Sequence, residues 1–279
     1  MSKSNMMIIT AFFSFVAFVI ICLYAFYYNR WKHLWALDTN ITPLYVIKSN
    51  SISSLRVAMI GDSWAELHHE QNMDTYFSSI LKQKIGRPVY VESKGKGGEK
   101  TRGIYKLMFD TDEFGTKPLL SLKPDYCIIS AGINDAAANL GTKQYCYYYR
   151  QILDFLLANR IRPVVLEIPN VNILHLYCGK PFKDLVVDFV RSTMTGCKMY
   201  QYAGYRDALY RMLVNEKLMD EVVYVSMMDW NDASPDINSN LFMSDQIHLN
   251  RRGYEKLDSC IAIAIAKDLE NSSNPSFVY

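Results

Sequence analysis

The sequence predicts an α/β domain whose parallel sheet is covered by helices on both faces, preceded by one N-terminal transmembrane helix. Three observations carry this. Residues 6–28 contain no charged side chain. Beyond residue 54, short apolar runs rich in Val, Ile and Tyr alternate with longer stretches of helical periodicity. The runs mostly lack polar alternation, as strands buried on both faces should. Alternating β and α elements imply a parallel sheet with crossover helices.

The N-terminal stretch is MMIITAFFSFVAFVIICLYAFYY, residues 6–28. At about 1.5 Å per residue it spans a hydrocarbon core of ~30 Å. A cleavable signal peptide usually has a shorter apolar region, and no A-x-A-like site follows. Cys22 lacks the small preceding residues of a lipoprotein processing site. Tyr24, Tyr27, Tyr28 and Trp31 form an aromatic border suited to a membrane interface. Residues 1–33 therefore read as a membrane anchor, and 34–54, ending near KSNSISS, as a linker. Lys3 lies on one side of the span, Arg30 and Lys32 on the other. That near balance leans slightly toward a cytoplasmic domain.

The domain itself is expected over 55–270, with 271–279 a loosely ordered tail. Its strand candidates are 55–61, 88–93, 125–132, 163–169 and 222–227. Helices are expected over 73–86, which ends in a glycine suited to a C-cap, and over 141–160, 181–217 and 252–270. No internal repeat stands out.

Composition sets limits on function. The chain has 279 residues, half of them hydrophobic, enough for one sizeable core. Residues 1–33 carry three bases and no acid, which leaves 27 bases against 28 acids in the remainder. Phosphate binding needs clustered Lys and Arg, so nucleic acid is not the expected partner. Cys127 and Cys260 sit in apolar runs and read as small core residues. Cys146, Cys178 and Cys197 could include a disulfide pair, and no Cys/His spacing suggests a metal.

In open parallel sheets, ligands bind beyond the carboxyl ends of the strands. The first strand is followed by Gly61-Asp62-Ser63, the second by KGKGGEKTRG over 94–103, and the third by Gly132-Ile133-Asn134-Asp135. Late in the domain comes Asp245-Gln246-Ile247-His248. These are the parts of a Ser/His/Asp acyl-transfer site. Each has a plain structural alternative: Ser63 could cap a helix, Asn134-Asp135 could be a turn, and Asp245 with His248 could cap the last helix. The glycines at 95–98 fit neither the Walker nor the dinucleotide pattern. Position 65 is Ala, so the G-x-S-x-G elbow is absent as well.

Taken together and in order, the four segments resemble the signature blocks of the SGNH hydrolases, also called the GDSL esterase/lipase superfamily. The resemblance covers roughly residues 55–270. It aligns Gly98 with the functional glycine of the second block, and Ser93 stands where many members have Asn. It implies a three-layer, flavodoxin-like α/β/α sandwich with five parallel strands. Ser63 becomes the nucleophile, His248 its base and Asp245 the orienting carboxylate. The backbone N–H groups of Ser63 and Gly98 and the Asn134 amide become the oxyanion hole. No metal or organic cofactor is required.

Trp64, Asp62, Asp135 and His175 are possible pocket residues, although a Trp at position 64 more often packs under the following helix. His68 and His69 are expected to face solvent or line a rim. Family members act on acetylated carbohydrates, lipids and thioesters. The expectation here is a membrane-anchored serine esterase, acting outside the cytoplasm on O-acetyl groups of a surface polysaccharide. An O-acyltransferase, a lipid or thioester hydrolase and a catalytically silent glycan-binding protein are its alternatives.

Overall fold

Among the residues described by the computed structural model (3–38, 45, 54–171, 180–197, 202–227, 230 and 241–273), five strands form one parallel sheet. They are β1 (Leu55–Gly61), β2 (Val89–Gly95), β3 (Tyr126–Ser130), β4 (Arg162–Leu166) and β5 (Val223–Val225), in the order β2-β1-β3-β4-β5. The chain runs from β1 outward to β2, then returns past β1 to β3. That reversal opens a crevice at the carboxyl ends of β1 and β3. The register sharpens it: Gly61 pairs with Gly95 on one side and with Ser130 on the other. Three loops therefore leave the sheet at one level.

Every residue of β3 is buried, and so is all of β1 except Arg56. This is why both strands read as unbroken apolar runs. Each fully buried Val, Leu or Ile there contributes about 1.5–3 kcal/mol. One face of the sheet carries α2 (Ser63–Glu70), α3 (Met73–Ile85) and α10 (Arg251–Ser273). The other carries α4 (Thr101–Leu107), α7 (Thr142–Ala158) and α9 (Tyr202–Asn215). On α7 the buried residues Tyr145, Tyr148, Tyr149, Ile152, Leu153 and Leu156 form one stripe at helical spacing. Two single-turn helices, α5 (Lys117–Ser121) and α6 (Ile133–Ala137), fill connections.

Some expected boundaries move. The helix expected over 181–217 is two helices, α8 (Phe182–Thr195) and α9. Gly196 ends the first in the left-handed region at φ 67°, the usual way a helix stops. The strand expected over 125–132 gives up its last two residues, because Gly132 turns the chain at φ 119°. Cys22, Cys127, Cys146, Cys197 and Cys260 are free thiols, and Cys178 lies outside the described residues.

The N-terminal helix α1 spans Lys3–Trp35. Its most apolar window has a mean hydropathy of 2.8, and none of that window is buried. It is long and apolar enough to cross a membrane. Its far end is fastened to the domain. Trp31 is buried under the Arg191 guanidinium, 4.6 Å from the ring centre. The Leu34 carbonyl accepts from the Gln144 amide. Asp38 meets Arg102 at 2.9 Å and Lys106 at 3.4 Å, and its backbone N–H donates to Tyr148 Oη at 2.9 Å. The chain thus stays on the domain surface through residue 38, five residues into the expected linker. Tyr45 is also docked, its hydroxyl on the Met108 carbonyl at 2.8 Å.

Candidate active site

Asp62 ends the first strand and caps α2. Its Oδ1 accepts from Trp64 N–H at 3.1 Å and from the Ser130 hydroxyl at 3.0 Å. Such a cap contributes about 1 kcal/mol to the helix. It also leaves Ser63 as the first residue of α2, at the positive end of the helix dipole. Ser63 Oγ lies 2.9 Å from His248 Nε2, although the two are 185 positions apart.

His248 sits on a tight turn between Leu241 and α10. Phe242 and Leu249 bridge antiparallel across its base. Met243 N–H donates to the His248 carbonyl at 2.7 Å. Gln246, at φ 58°, occupies the left-handed region that glycine usually takes. Asp245 Oδ2 is 2.5 Å from His248 Nδ1, and its Oδ1 accepts from the N–H groups of Ile247 and His248, each at 2.9 Å. Partial burial pushes the Asp245 carboxyl up, but these donors, led by the His248 ring, bring it below the usual range. An ionised carboxylate only accepts, so the His248 proton is on Nδ1 and Nε2 is free to accept from Ser63. The geometry can take a proton from the hydroxyl and hold the resulting imidazolium.

The glycine-rich loop passes beside this pair. A Cβ on Gly95 would run into the Asp62 carbonyl, so β2 can end against the first turn of α2 only with glycine there. Gly98 has φ 73°, and a Cβ built on it meets nothing within 4 Å. Its requirement is conformational rather than steric. Gly97 runs nearer to Ser63: a Cβ there would be 4.0 Å from Ser63 Cβ.

Asn134 lies in α6. Its Nδ2 donates to the Glu99 carbonyl at 3.0 Å and stands 3.5 Å from Asp62 Oδ2. The next residue, Asp135, turns inward and accepts from Thr101 N–H at 3.0 Å and Thr101 Oγ1 at 2.8 Å. It thereby pins the start of α4, and the glycine loop before it, onto α6. Asp62 and Asp135 are each raised to about 6, chiefly by burial and against the pull of their donors. Both carboxylates are fully buried, as is Trp64, which packs beneath α2. His175 lies outside the described residues. A cavity of about 10 Å³ is bordered by Asp62, Trp64, Ser130, Ile133, Leu166 and Ile168.

One expectation is overturned. His68 does not face solvent: it is 0 % exposed, on the same face of α2 as Trp64 four residues earlier. Its Nε2 meets Asp258 at 2.9 Å, and its Nδ1 meets Asp74 at 3.0 Å and Ser93 Oγ at 2.9 Å. Carboxylates from α3 and α10 pay for its burial. Helical spacing from Trp64 could have placed it inward, but the partners 6 and 190 positions away have no local signal. His69 stays exposed, as expected, with Nδ1 2.8 Å from Asp74.

The model of the GDSL-like lipase/acylhydrolase family matches residues 59–256. Among solved structures, the lipase/acylhydrolase from Enterococcus faecalis is 14 % identical at a TM-score of 0.52, covering 76 % of this chain and 96 % of that one. A GDSL-like lipase from Bacteroides thetaiotaomicron is 15 % identical at 0.50, covering 88 % and 98 %. A catalytic mutant of an acetylxylan esterase from Geobacillus stearothermophilus is 15 % identical at 0.51, covering 78 % and 95 %. At such identities these structures speak to the fold. No protein of curated function matches the chain.

Proposed function

From the premise that the chain belongs to the GDSL-like lipase/acylhydrolase family and is a hydrolase, we propose that it is a serine esterase that removes O-acetyl groups from a carbohydrate, with a surface polysaccharide as the natural substrate. The observation that carries the reading is the relay from Asp245 through His248 to Ser63, at 2.5 and 2.9 Å. His248 Nε2 takes the Ser63 proton as Oγ attacks the ester carbonyl. The tetrahedral oxyanion is met by the N–H groups of Ser63 and Gly98 and by Asn134 Nδ2, which exchanges its long approach to Asp62 for the new partner. His248 then protonates the leaving alcohol. Water, activated by the same imidazole, opens the acyl-enzyme and releases acetate. Asp245 remains ionised and holds the ring throughout.

The apolar α1 supports anchoring, and a polysaccharide substrate places the domain outside the cytoplasm. Hydrolysis of p-nitrophenyl acetate against the butyrate and octanoate esters tests the chemistry. Acetate is cleaved fastest by the wild type, and Ser63→Ala is inactive. Activity that survives in Ser63→Ala would discard the assignment. Full protection of the domain from protease in intact cells would discard the polysaccharide.

A further inference from the structure

Trp64 follows Ser63 directly in α2 and is 2 % exposed. Three hydrogen bonds pass through it. Its amide donates to the Asp62 carboxylate. Its carbonyl accepts from the Tyr254 hydroxyl at 2.9 Å. Its indole Nε1–H donates to the Ile247 carbonyl at 3.1 Å. Ile247 is the residue before His248, so the indole ties the turn carrying Ser63 to the turn carrying His248. The Trp64 ring also sits 6.5 Å from that of Phe242, at the base of the same turn.

The turn is also held by packing, with Phe242, Ile247 and Leu249 buried in the core. Met243 to His248, Gln246 to Met243 and the Asp245 contacts fix its shape. Beside the His248–Ser63 contact itself, the hydrogen bond that links the turn directly to α2 is the one from Trp64 to Ile247. The side chains of His248 and Asp245 are 31 % and 38 % exposed, so burial holds them only in part. We propose that Trp64 is a positioning residue: its bond to the Ile247 carbonyl sets the reach of His248 Nε2 to Ser63 Oγ. This rests on the assignment of Ser63 and His248 as the reacting pair.

The consequence appears where the imidazole must return its proton. A p-nitrophenolate leaves without one, whereas an alkyl alcohol must be protonated as it departs. A displaced ring therefore penalises an unactivated ester more than an activated one, and a general loss of fold penalises both alike.

The test is Trp64→Phe, which keeps aromatic bulk and removes the N–H, with active sites counted by fluorophosphonate titration. Per active site, kcat/KM on ethyl acetate, which reports formation of the acyl-enzyme, falls about tenfold, the size expected for one lost hydrogen bond. On p-nitrophenyl acetate kcat/KM falls less than about threefold. Phe77→Leu, a core change on α3, lowers Tm but keeps the wild-type ratio between the two esters. Equal losses on both esters in Trp64→Phe, or none, overturn the proposal. If that variant does not fold, β-(3-benzothienyl)alanine at position 64 supplies the shape of Trp without its N–H, and the same ratio decides. A wild type that cleaves neither ester sinks the esterase reading by itself. Trp64 is then judged by NMR titration of the His248 Cε1–H, where a displaced midpoint in Trp64→Phe supports the proposal and an unchanged one overturns it.

Discussion

His248 and His68 have the same kinds of neighbours in different surroundings. Each imidazole is hydrogen-bonded to a serine hydroxyl at 2.9 Å and to aspartate. His248 has one carboxylate and is 31 % exposed. His68 has two carboxylates, on opposite ring nitrogens, and no exposure. Burial alone would strip the His68 proton, but the bonds to Asp258 and Asp74 outweigh it and raise the ring to about 9. Asp74 is the firmer counter-ion, drawn down to about 2 against its own burial by His68, Ser93 and His69. Asp258 is instead raised to about 6, chiefly by its deeper burial, with the charges of Asp74 and Glu255 adding to the rise against the pull of His68. A base must give its proton back, so a second carboxylate and the absence of solvent disqualify His68. The residue types of a triad are common to both places. What differs is how many charges face the ring and whether a substrate can reach it.

The largest effect expected from breaking this comparison is on rate. Ser63→Ala and His248→Ala each lose at least about 10⁴-fold in ester hydrolysis with Tm nearly unchanged, while Ser93→Ala stays within about threefold of wild type, all read from initial rates. Equal losses at Ser63 and Ser93 would erase the distinction between the two clusters. On stability the order reverses. His68→Leu leaves the buried Asp258 without its imidazole partner and takes one bond from Asp74, and costs about 3–5 kcal/mol in urea unfolding, whereas His248→Ala costs less than about 1 kcal/mol.

The pH dependence of folding follows from the same charge. The folded-state value of His68 is above the unfolded 6.5, so its contribution is fully present below 6.5 and disappears as pH rises through about 9. About 3 kcal/mol is at stake over that window. Asp74 is shifted the other way, so its contribution is present above about 4 and is lost as pH falls toward about 2. Unfolding free energy measured from pH 6 to 10 declines in the wild type and stays flatter in His68→Gln. Ser93→Ala removes a 2.5 Å bond to the Asp74 carboxylate and costs about 1.5–3 kcal/mol in the same unfolding assay, between His68→Leu and His248→Ala.

The sequence-based account went furthest where the determining forces are local. Residues 55–61 and 125–132 read as strands because both faces are apolar and a glycine ends each run. The α7 stripe was legible from its spacing. The blocks around Ser63, Asn134 and Asp245 with His248 were legible as strand-end or late-domain motifs, and they lie together at one edge of the sheet. The break at Gly196 was missed because amphipathic periodicity continues on both sides of it. His68 was missed because Asp258 approaches from another helix. For the same reason nothing local indicates that the Asn134 amide rests on the Glu99 carbonyl, or that Ser93, set apart from the family pattern, belongs to the His68 cluster.

Trp31 under Arg191 and Asp38 between Arg102 and Lys106 turn a tether into a bracket. A free chain over 34–54 could extend about 70 Å from a membrane. A chain docked from Trp31 through Asp38 allows almost none of that travel. With α1 in a bilayer, the cleft samples a thin shell over the surface instead of a volume above it. Which esters it can meet is then decided by their height over the lipid as much as by their fit to the cleft. Lengthening the chain between α1 and Asp38 would change what the enzyme finds without altering Ser63 or His248.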